Sequence, residues 1–391
     1  MTTWWTLLFE PLGVLMFRDH RPFDAGRDGI ARSRFPYPSV FRGAIRSALF
    51  QAAGADFSKK KFGLNGELAE LLGDNCQKEK FALRGPMLAR CACRQRSCSC
   101  GVDRKFEYLL PWPADLVEVD GPKDDAPHFE VFGERPASAD SACFRWDGHT
   151  KKLRAHDSSL PWVRGKLVKP SGDVRCLTPE GGKKYVEGGK LALLKGEDFI
   201  LQSAVLQTEH RVGLARATRT RGRTLTAARG MLYTLLTYRL AEVARFAVEV
   251  DVGGPRGELL KTQLNALDGE SIRLGGQSGH VRLQVIEHRI APTWKAPAGP
   301  TKLWAWTPTL WDPTQPPPGL QHALGKAIRL GGFDMQKRQP RPLQAALDRG
   351  AVLRLKKGTD QHAVRRSLEL RAKDHGVPPH SYGYGHWSTV E

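Results

Sequence analysis

The stretch Phe17-Arg-Asp-His-Arg-Pro-Phe23, read together with Phe35-Pro-Tyr-Pro-Ser-Val-Phe-Arg-Gly-Ala-Ile-Arg-Ser-Ala-Leu49, decides the fold. An apolar segment precedes it, Trp4 to Phe17, which reads as a strand interrupted at Pro11 and Gly13. A loop rich in Arg, Gly and Asp follows, Arg18 to Arg34, then two prolines and a helix. Ser39 is the expected N-cap, because its hydroxyl can accept from the orphan N–H groups of the first turn. Val40, Phe41, Ala44, Ile45, Ala48 and Leu49 recur at three- and four-residue spacing, so one face of the helix is apolar. Arg42 and Arg46 are four apart and share another face. Two arginines on a helix face suit a phosphate backbone, and a basic loop leaving a strand suits a splayed base.

The overall charge agrees. The 391 residues carry 60 Lys and Arg against 41 Asp and Glu, a net +19. Such an excess favours a polyanionic partner. Nucleic acid comes ahead of an anionic membrane, since the sequence holds no basic amphipathic helix with a bulky apolar face. No run reaches the ~18 apolar residues of a spanning helix. The opening MTTWWTLLFEP has no basic region before its apolar run and no small-residue cleavage site, so it does not read as a signal peptide. Seven cysteines, an odd count, argue against a secreted disulfide scaffold, and the cytoplasm is the expected compartment.

Further along, Asn65 to Leu72 reads as a short helix and Ala82 to Arg90 as a strand. Phe106 to Leu110 resumes an extended pattern, which makes a hairpin with a cysteine-rich tip. A proline-marked region up to about Leu160 is expected to be surface excursion rather than core. Thr178 to Gly188 reads as a helix and Leu201 to Gln207 as a strand. Phe246 to Val252 is a strand, Gly257 to Leu267 a helix, Val281 to Ile286 and Leu303 to Leu310 further strands. Gln315-Pro-Pro-Pro318 is a linker, and the tail from Val352 stays basic. Strand, helix, then strands, seen twice, predicts an α+β chain of two ferredoxin-like (RRM-like) halves, 1–199 and 200–391, with long insertions.

Four features carry candidate chemistry. In the first loop, Arg18, His20 and Arg21 read either as a solvated turn or as RNA contacts. The second is Arg216, Arg219, Arg221 and Arg223, interleaved with threonines and free of acids, which suits RNA or a neighbouring subunit. Third, Leu274-Gly-Gly-Gln-Ser-Gly279 matches neither a Walker loop nor a dinucleotide fingerprint. Its Gly275 and Gly276 are a plain turn or a place of close backbone approach. Fourth, Cys91, Cys93, Cys98 and Cys100 put four thiols in ten residues, flanked by Arg90, Arg94 and Arg96. They read as a tetrahedral zinc site or as free thiols. No histidine belongs to an HExxH, a ligand pair or a triad. His20 is a general base for RNA cleavage or, more simply, a stacking residue.

The opening stretch resembles that of the RAMP-type subunit of type III-B (Cmr-type) CRISPR effector complexes, the Cas-five-like subunit that holds the guide RNA's 5′ tag. Leu83-Arg-Gly-Pro-Met-Leu88, Leu110-Pro-Trp-Pro-Ala-Asp-Leu116, Arg211-Val-Gly-Leu214, Gly230-Met-Leu-Tyr233, Leu274-Gly-Gly-Gln277, Gly331-Gly-Phe-Asp334 and Gly383-Tyr-Gly385 follow in the same order as in that family. The resemblance implies ferredoxin-like folds with a Gly-rich loop, and a non-catalytic role at one end of a ribonucleoprotein. It implies contact with the crRNA 5′ tag, the large subunit and a backbone RAMP subunit, and with target RNA indirectly. It moves Gly275 and Gly276 towards the RNA or an interface. The cysteine insertion is no part of it. The competing reading is a metal-independent crRNA-processing endoribonuclease.

Overall fold

A computed structural model describes residues 3–18, 30–56, 66–72, 81–94, 100, 104–119, 128–131, 144–147, 152–155, 173–188, 191–216, 227–292, 294, 302–310, 316–331, 333–334, 339–340, 342–370, 382–384 and 386–390. Its principal elements, in chain order, begin with β1 (Trp4–Pro11), α1 (Pro38–Ala52), β2 (Leu83–Cys91), β3 (Phe106–Pro111) and α2 (Pro179–Glu187). Next come β4 (Leu206–Arg216), β5 (Ala227–Leu240), β6 (Ala244–Asp251), α3 (Gly257–Asn265) and β7 (His280–Ile286). The last are β8 (Lys302–Ala305), β9 (Leu320–Leu324), β10 (Val352–Leu355), α4 (Gln361–Leu370) and β11 (Trp387–Val390).

The central strands run in the order β2-β6-β1-β7, all antiparallel to their neighbours. β1 and β2, linked through α1, flank β6; β6 and β7, linked by α3, flank β1. Each is a split βαβ, so together they form one ferredoxin-like unit. β3, Arg175–Leu177 and Phe199–Leu201 extend the sheet beyond β2, and Ser271–Arg273 extends it beyond β7. With Tyr382–Gly383 beside β2, the sheet has nine strands.

Burial on both faces explains the mostly apolar sequence of β1, in which the buried Thr6 hydroxyl donates to the His288 carbonyl at 2.9 Å. Trp5, Leu7 and Phe9 point into one core with Phe41, Ile45 and Leu49 of α1 and Leu260 and Leu264 of α3. Leu8 points the other way, into a core with Tyr185 of α2, Trp304 of β8 and Trp306. A second, smaller sheet runs β9-β10-β8-β11. There β10 and β11, linked through α4, flank β8, a further split βαβ, with Val364 and Leu368 of α4 packed on Leu303, Leu353 and Leu355. Among the described residues no helix joins β8 to β9. The first unit is thus a complete ferredoxin-like fold, and the second keeps the ferredoxin-like strand order with one of the two βαβ crossovers among the described residues.

Several expectations need correction. The units do not divide at residue 199. The first unit takes β1 and β2 from one side of that point and β6 and β7 from the other, and the second begins at β8. A strand pairs with whatever partner its register allows, however distant, and the Cα partners Leu7 and Val248 are such a pair. Ser39 is not the cap of α1. Tyr37 is, without a side-chain hydrogen bond, and Pro38 occupies the first turn. The Ser39 hydroxyl instead accepts a hydrogen bond from the Tyr384 hydroxyl at 3.1 Å. The proline-marked middle contributes to the core: Leu116 and Phe129, on a hairpin of Leu116–Val119 with His128–Val131, are both buried. Leu303 to Leu310 is two strands, β8 and Thr309–Leu310, broken at Trp306 and Thr307. The expected strand from Leu201 is broken by a 3-10 turn, Gln202–Ala204, before β4 begins. The helix at 179–187 forms as read, with the Thr178 hydroxyl accepting from Gly181 N–H at 3.2 Å.

Candidate nucleic-acid interface

Leu15 to Arg18 leave β1 and pair with three other parts of the chain in succession. Leu15 exchanges hydrogen bonds with Tyr238 of β5, N–H to carbonyl at 2.8 and 2.7 Å. The Met16 carbonyl accepts from Gly276 N–H at 2.8 Å, joining the Gly-rich loop. Phe17 N–H donates to the Ser33 hydroxyl at 3.2 Å, and its carbonyl accepts from Arg34 N–H at 3.0 Å. Arg18 then bridges to Ser33 and is exposed. The basic loop thus leaves and re-enters the fold beside the Gly-rich loop and the base of the β4–β5 hairpin. On its return, Ile30 and Ala31 run parallel to β5 at Thr234 and Leu235.

Phe17 anchors this junction. It is buried among Phe41 (6.3 Å between ring centroids), Phe246 (5.7 Å) and Tyr238 (6.5 Å). The buried ring of Phe17 fixes the backbone from which the exposed Arg18 projects. Burial pushes the Tyr238 phenol above its ordinary pKa, while Arg349 and Arg34 pull it back. Phe35 carries the Arg349 guanidinium 3.4 Å from its ring centroid. Burial lowers the pKa of that guanidinium.

Gly275 has φ +79°, and a Cβ there would lie 2.6 Å from the Met16 carbonyl oxygen and 3.1 Å from the Phe17 ring. Its close approach is therefore to the chain's own strand. Gly276 differs, since a Cβ there would meet nothing nearer than 3.7 Å. Gln277 and Ser278, which the sequence reading did not single out, both have φ +56° and are exposed. Non-glycine residues held at positive φ at an exposed tip are candidates for contact. The one signal in the sequence was their position between glycines.

β4 and β5 form a long two-stranded hairpin, with registers from Leu206–Leu240 to Arg216–Ala227 and an irregularity between Leu214 and Arg216. Eleven residues of β4 span roughly 35 Å. Leu206, at its base, and Leu235, midway along opposite Arg211, are buried, whereas the neighbouring Val212 is 75% exposed. The segment that carries Arg219, Arg221 and Arg223 joins these strands. These three arginines lie outside the described residues, as do His20 and Arg21, and of Arg216 only the backbone is described.

Arg42 and Arg46 are not an open pair. Arg42 is 2% exposed, with its guanidinium 5.6 Å from the centroid of Phe81. Arg46 is half-buried; its Nε donates to the Leu72 carbonyl at 2.9 Å and its guanidinium lies 4.8 Å from the Phe50 centroid. The helix lies under neighbouring segments that its own periodicity does not reveal, so the expectation that both arginines hold phosphates is withdrawn for Arg42. At the tip of the β2–β3 hairpin, Cys91, Cys93 and Cys100 bring their Sγ atoms within 4.8 Å of one another. Cys98 lies outside the described residues. No helix among the described residues is long and apolar enough to cross a membrane.

Comparison with known proteins agrees with this architecture. The family model described as CRISPR-associated protein (Cas_Cmr3) matches residues 7–391. The fold is similar to a chain in the cryo-EM structure of the type III-B Cmr-beta bound to cognate target RNA, with 14% identity and a TM-score of 0.51 over 98% of this chain and 96% of that one. A chain of the same kind of complex with target RNA and AMPPnP scores 0.45 at 14% identity, over 89% and 86%. A chain of the Csm3-Csm4 subcomplex of the type III-A interference complex scores 0.37 at 10% identity, over 91% and 94%. No curated protein matches. The family match covers nearly the whole length, and the first of these structures shares the fold: the chain belongs to the Cas_Cmr3 family of CRISPR-associated proteins.

Proposed function

We propose that this subunit is non-catalytic and holds the 5′ tag of the crRNA where the loop after Arg18, the Gly-rich loop and the β4–β5 hairpin meet. The observation that carries the reading is the succession of partners at Leu15, Met16 and Phe17, drawn from three distant segments. A loop leaving a rigid strand between two such neighbours suits a splayed base, because Arg supplies both bidentate contacts and a stacking plane. Arg18 and Arg21 read the tag, His20 stacks or hydrogen-bonds, and Gly276, Gln277 and Ser278 line the opposite side. Arg216, Arg219, Arg221 and Arg223 follow the phosphates beyond it. The subunit joins the large subunit to the first backbone RAMP subunit in the cytoplasm and meets target RNA only indirectly. The RNA and subunits named for the neighbouring structures support partners of these kinds.

The test is a binding titration of tagged and scrambled guides. Changing Arg18 and Arg21 to Ala reduces the preference for the tagged guide by roughly 1–3 kcal/mol, the cost of removing a bidentate base contact. Full tag preference in that variant overturns the reading. Incubation with repeat RNA addresses catalysis: the RNA stays intact, and cleavage that disappears in His20→Ala would instead make the chain an endoribonuclease.

A further inference from the structure

The cysteines at the tip of the β2–β3 hairpin belong neither to the family resemblance nor to the RNA reading. Backbone hydrogen bonds set their geometry. Cys91, the last residue of β2, is buried and donates its N–H to the Val243 carbonyl at 2.9 Å. Ala92 N–H continues the hairpin ladder to the Lys105 carbonyl at 2.8 Å. The chain then turns back: Arg94 N–H donates to the Cys91 carbonyl at 3.2 Å, and Arg94 sits at φ +58°. This tight turn brings Cys93 beside Cys91, and Cys100 returns to the same point. The Cys91 and Cys100 Sγ atoms are 3.9 Å apart, far beyond the ~2.05 Å of a disulfide.

We propose that Cys91, Cys93 and Cys100 bind one zinc ion through three thiolates and thereby order the hairpin tip against α2. Zn–S bonds of about 2.3 Å in a tetrahedron put the sulfurs about 3.8 Å apart. The Cys91–Cys100 separation matches that edge, and all three sulfurs lie within 4.8 Å of one another. Simple packing of thiols does not require three of them to share one point. Three converging thiolates select zinc over the hard cations. Cys98, the fourth ligand expected from the sequence, lies outside the described residues.

The surroundings suit a negatively charged centre. Arg245 is 5% exposed and within electrostatic reach of Cys91, and Arg90 is also buried. Arg94, inside the turn, pairs with Glu107 at 3.3 Å and with Glu180 of α2 at 2.7 Å. Glu107 also holds Arg90 at 2.7 Å. A metal that holds Cys91, Cys93 and Cys100 together therefore fixes the Arg94 clamp to α2. Outer partners of this kind orient the ligands and tune the centre.

Full-length protein purified under reducing conditions is expected to carry about one equivalent of zinc by metal analysis. Single Cys91→Ser, Cys93→Ser and Cys100→Ser variants lose at least about fivefold of it, whereas Cys176→Ala, in the strand Arg175–Leu177, retains it. Replacing zinc with cobalt gives the thiolate charge-transfer and tetrahedral d–d bands, and chelation lowers the melting temperature reversibly. Less than about a tenth of an equivalent of any metal, a Cys91–Cys100 disulfide, or bound iron in place of zinc overturns the proposal. Should the serine variants fail to fold, metal content and the cobalt spectrum of the unaltered chain decide alone.

Discussion

Arginines occur in two settings in this molecule, and their sequence contexts look alike. Arg42 and Arg46 lie on α1, spaced as a charged helix face should be. Arg18 lies in a loop whose charge reads either as a solvated turn or as an RNA contact. The fold separates the two settings. Arg42 is buried beside Phe81 and Arg46 is tied to the Leu72 carbonyl, whereas Arg18 is exposed next to the anchored Phe17. Charge spacing reports a shared face of an element; it does not report what covers that face. The stems of arginine are apolar, so a second segment can pack on them as readily as water can.

The comparison can be broken most directly at Arg42. Arg42→Ala is expected to destabilise the chain by about 2–4 kcal/mol in urea unfolding, because it empties a filled site. Arg42→Met, which keeps the stem, recovers most of that stability, and neither change alters RNA affinity of the folded protein. If Arg42→Met folds normally yet loses affinity for every RNA, the arginine is a phosphate contact after all.

Gly275 and Gly276 sharpen the contrast between structural need and contact. Gly275→Ala places a Cβ against the Met16 carbonyl at a φ that L residues avoid, and costs about 2–3 kcal/mol. It also shifts Phe17 and weakens tag preference as a consequence. Gly276→Ala changes stability by less than about 0.5 kcal/mol, the range of ordinary surface changes, so any effect on RNA binding reports contact. Equal thermal stability of the two variants would remove the distinction. The smallest expected effect is at the hairpin. Changing Arg219, Arg221 and Arg223 to Ala weakens tagged and scrambled guides alike, and lowers the salt slope by about 0.7 for each phosphate that is no longer neutralised. A selective loss of tag preference there would move the reading site from the Arg18 loop to the hairpin.

Local chemistry makes much of the fold legible in the amino-acid order itself. The apolar face of α1, the Thr178-capped helix, α3 and β7 all depend on residues within a few positions of each other. Intrinsic patterning suffices for such elements. The family resemblance and the net charge likewise follow from the residues alone. The helix α4 in the basic tail was missed because its apolar anchors, Val364 and Leu368, are too few to stand out among charged neighbours.

What the amino-acid sequence by itself determined, then, was the kind of chain: α+β, basic, built from ferredoxin-like parts, with arginine-rich and cysteine-rich loops. The tertiary structure alone decided which parts combine. It threaded β1 between β6 and β7, over two hundred residues away, and so made the first unit discontinuous. It buried Arg42 and paired Leu15, Met16 and Phe17 with three separate segments. The physical reason is the range of the interactions. Helix faces and caps are set by neighbours along the chain, whereas strand register and burial are set by partners that meet only once the whole core has closed.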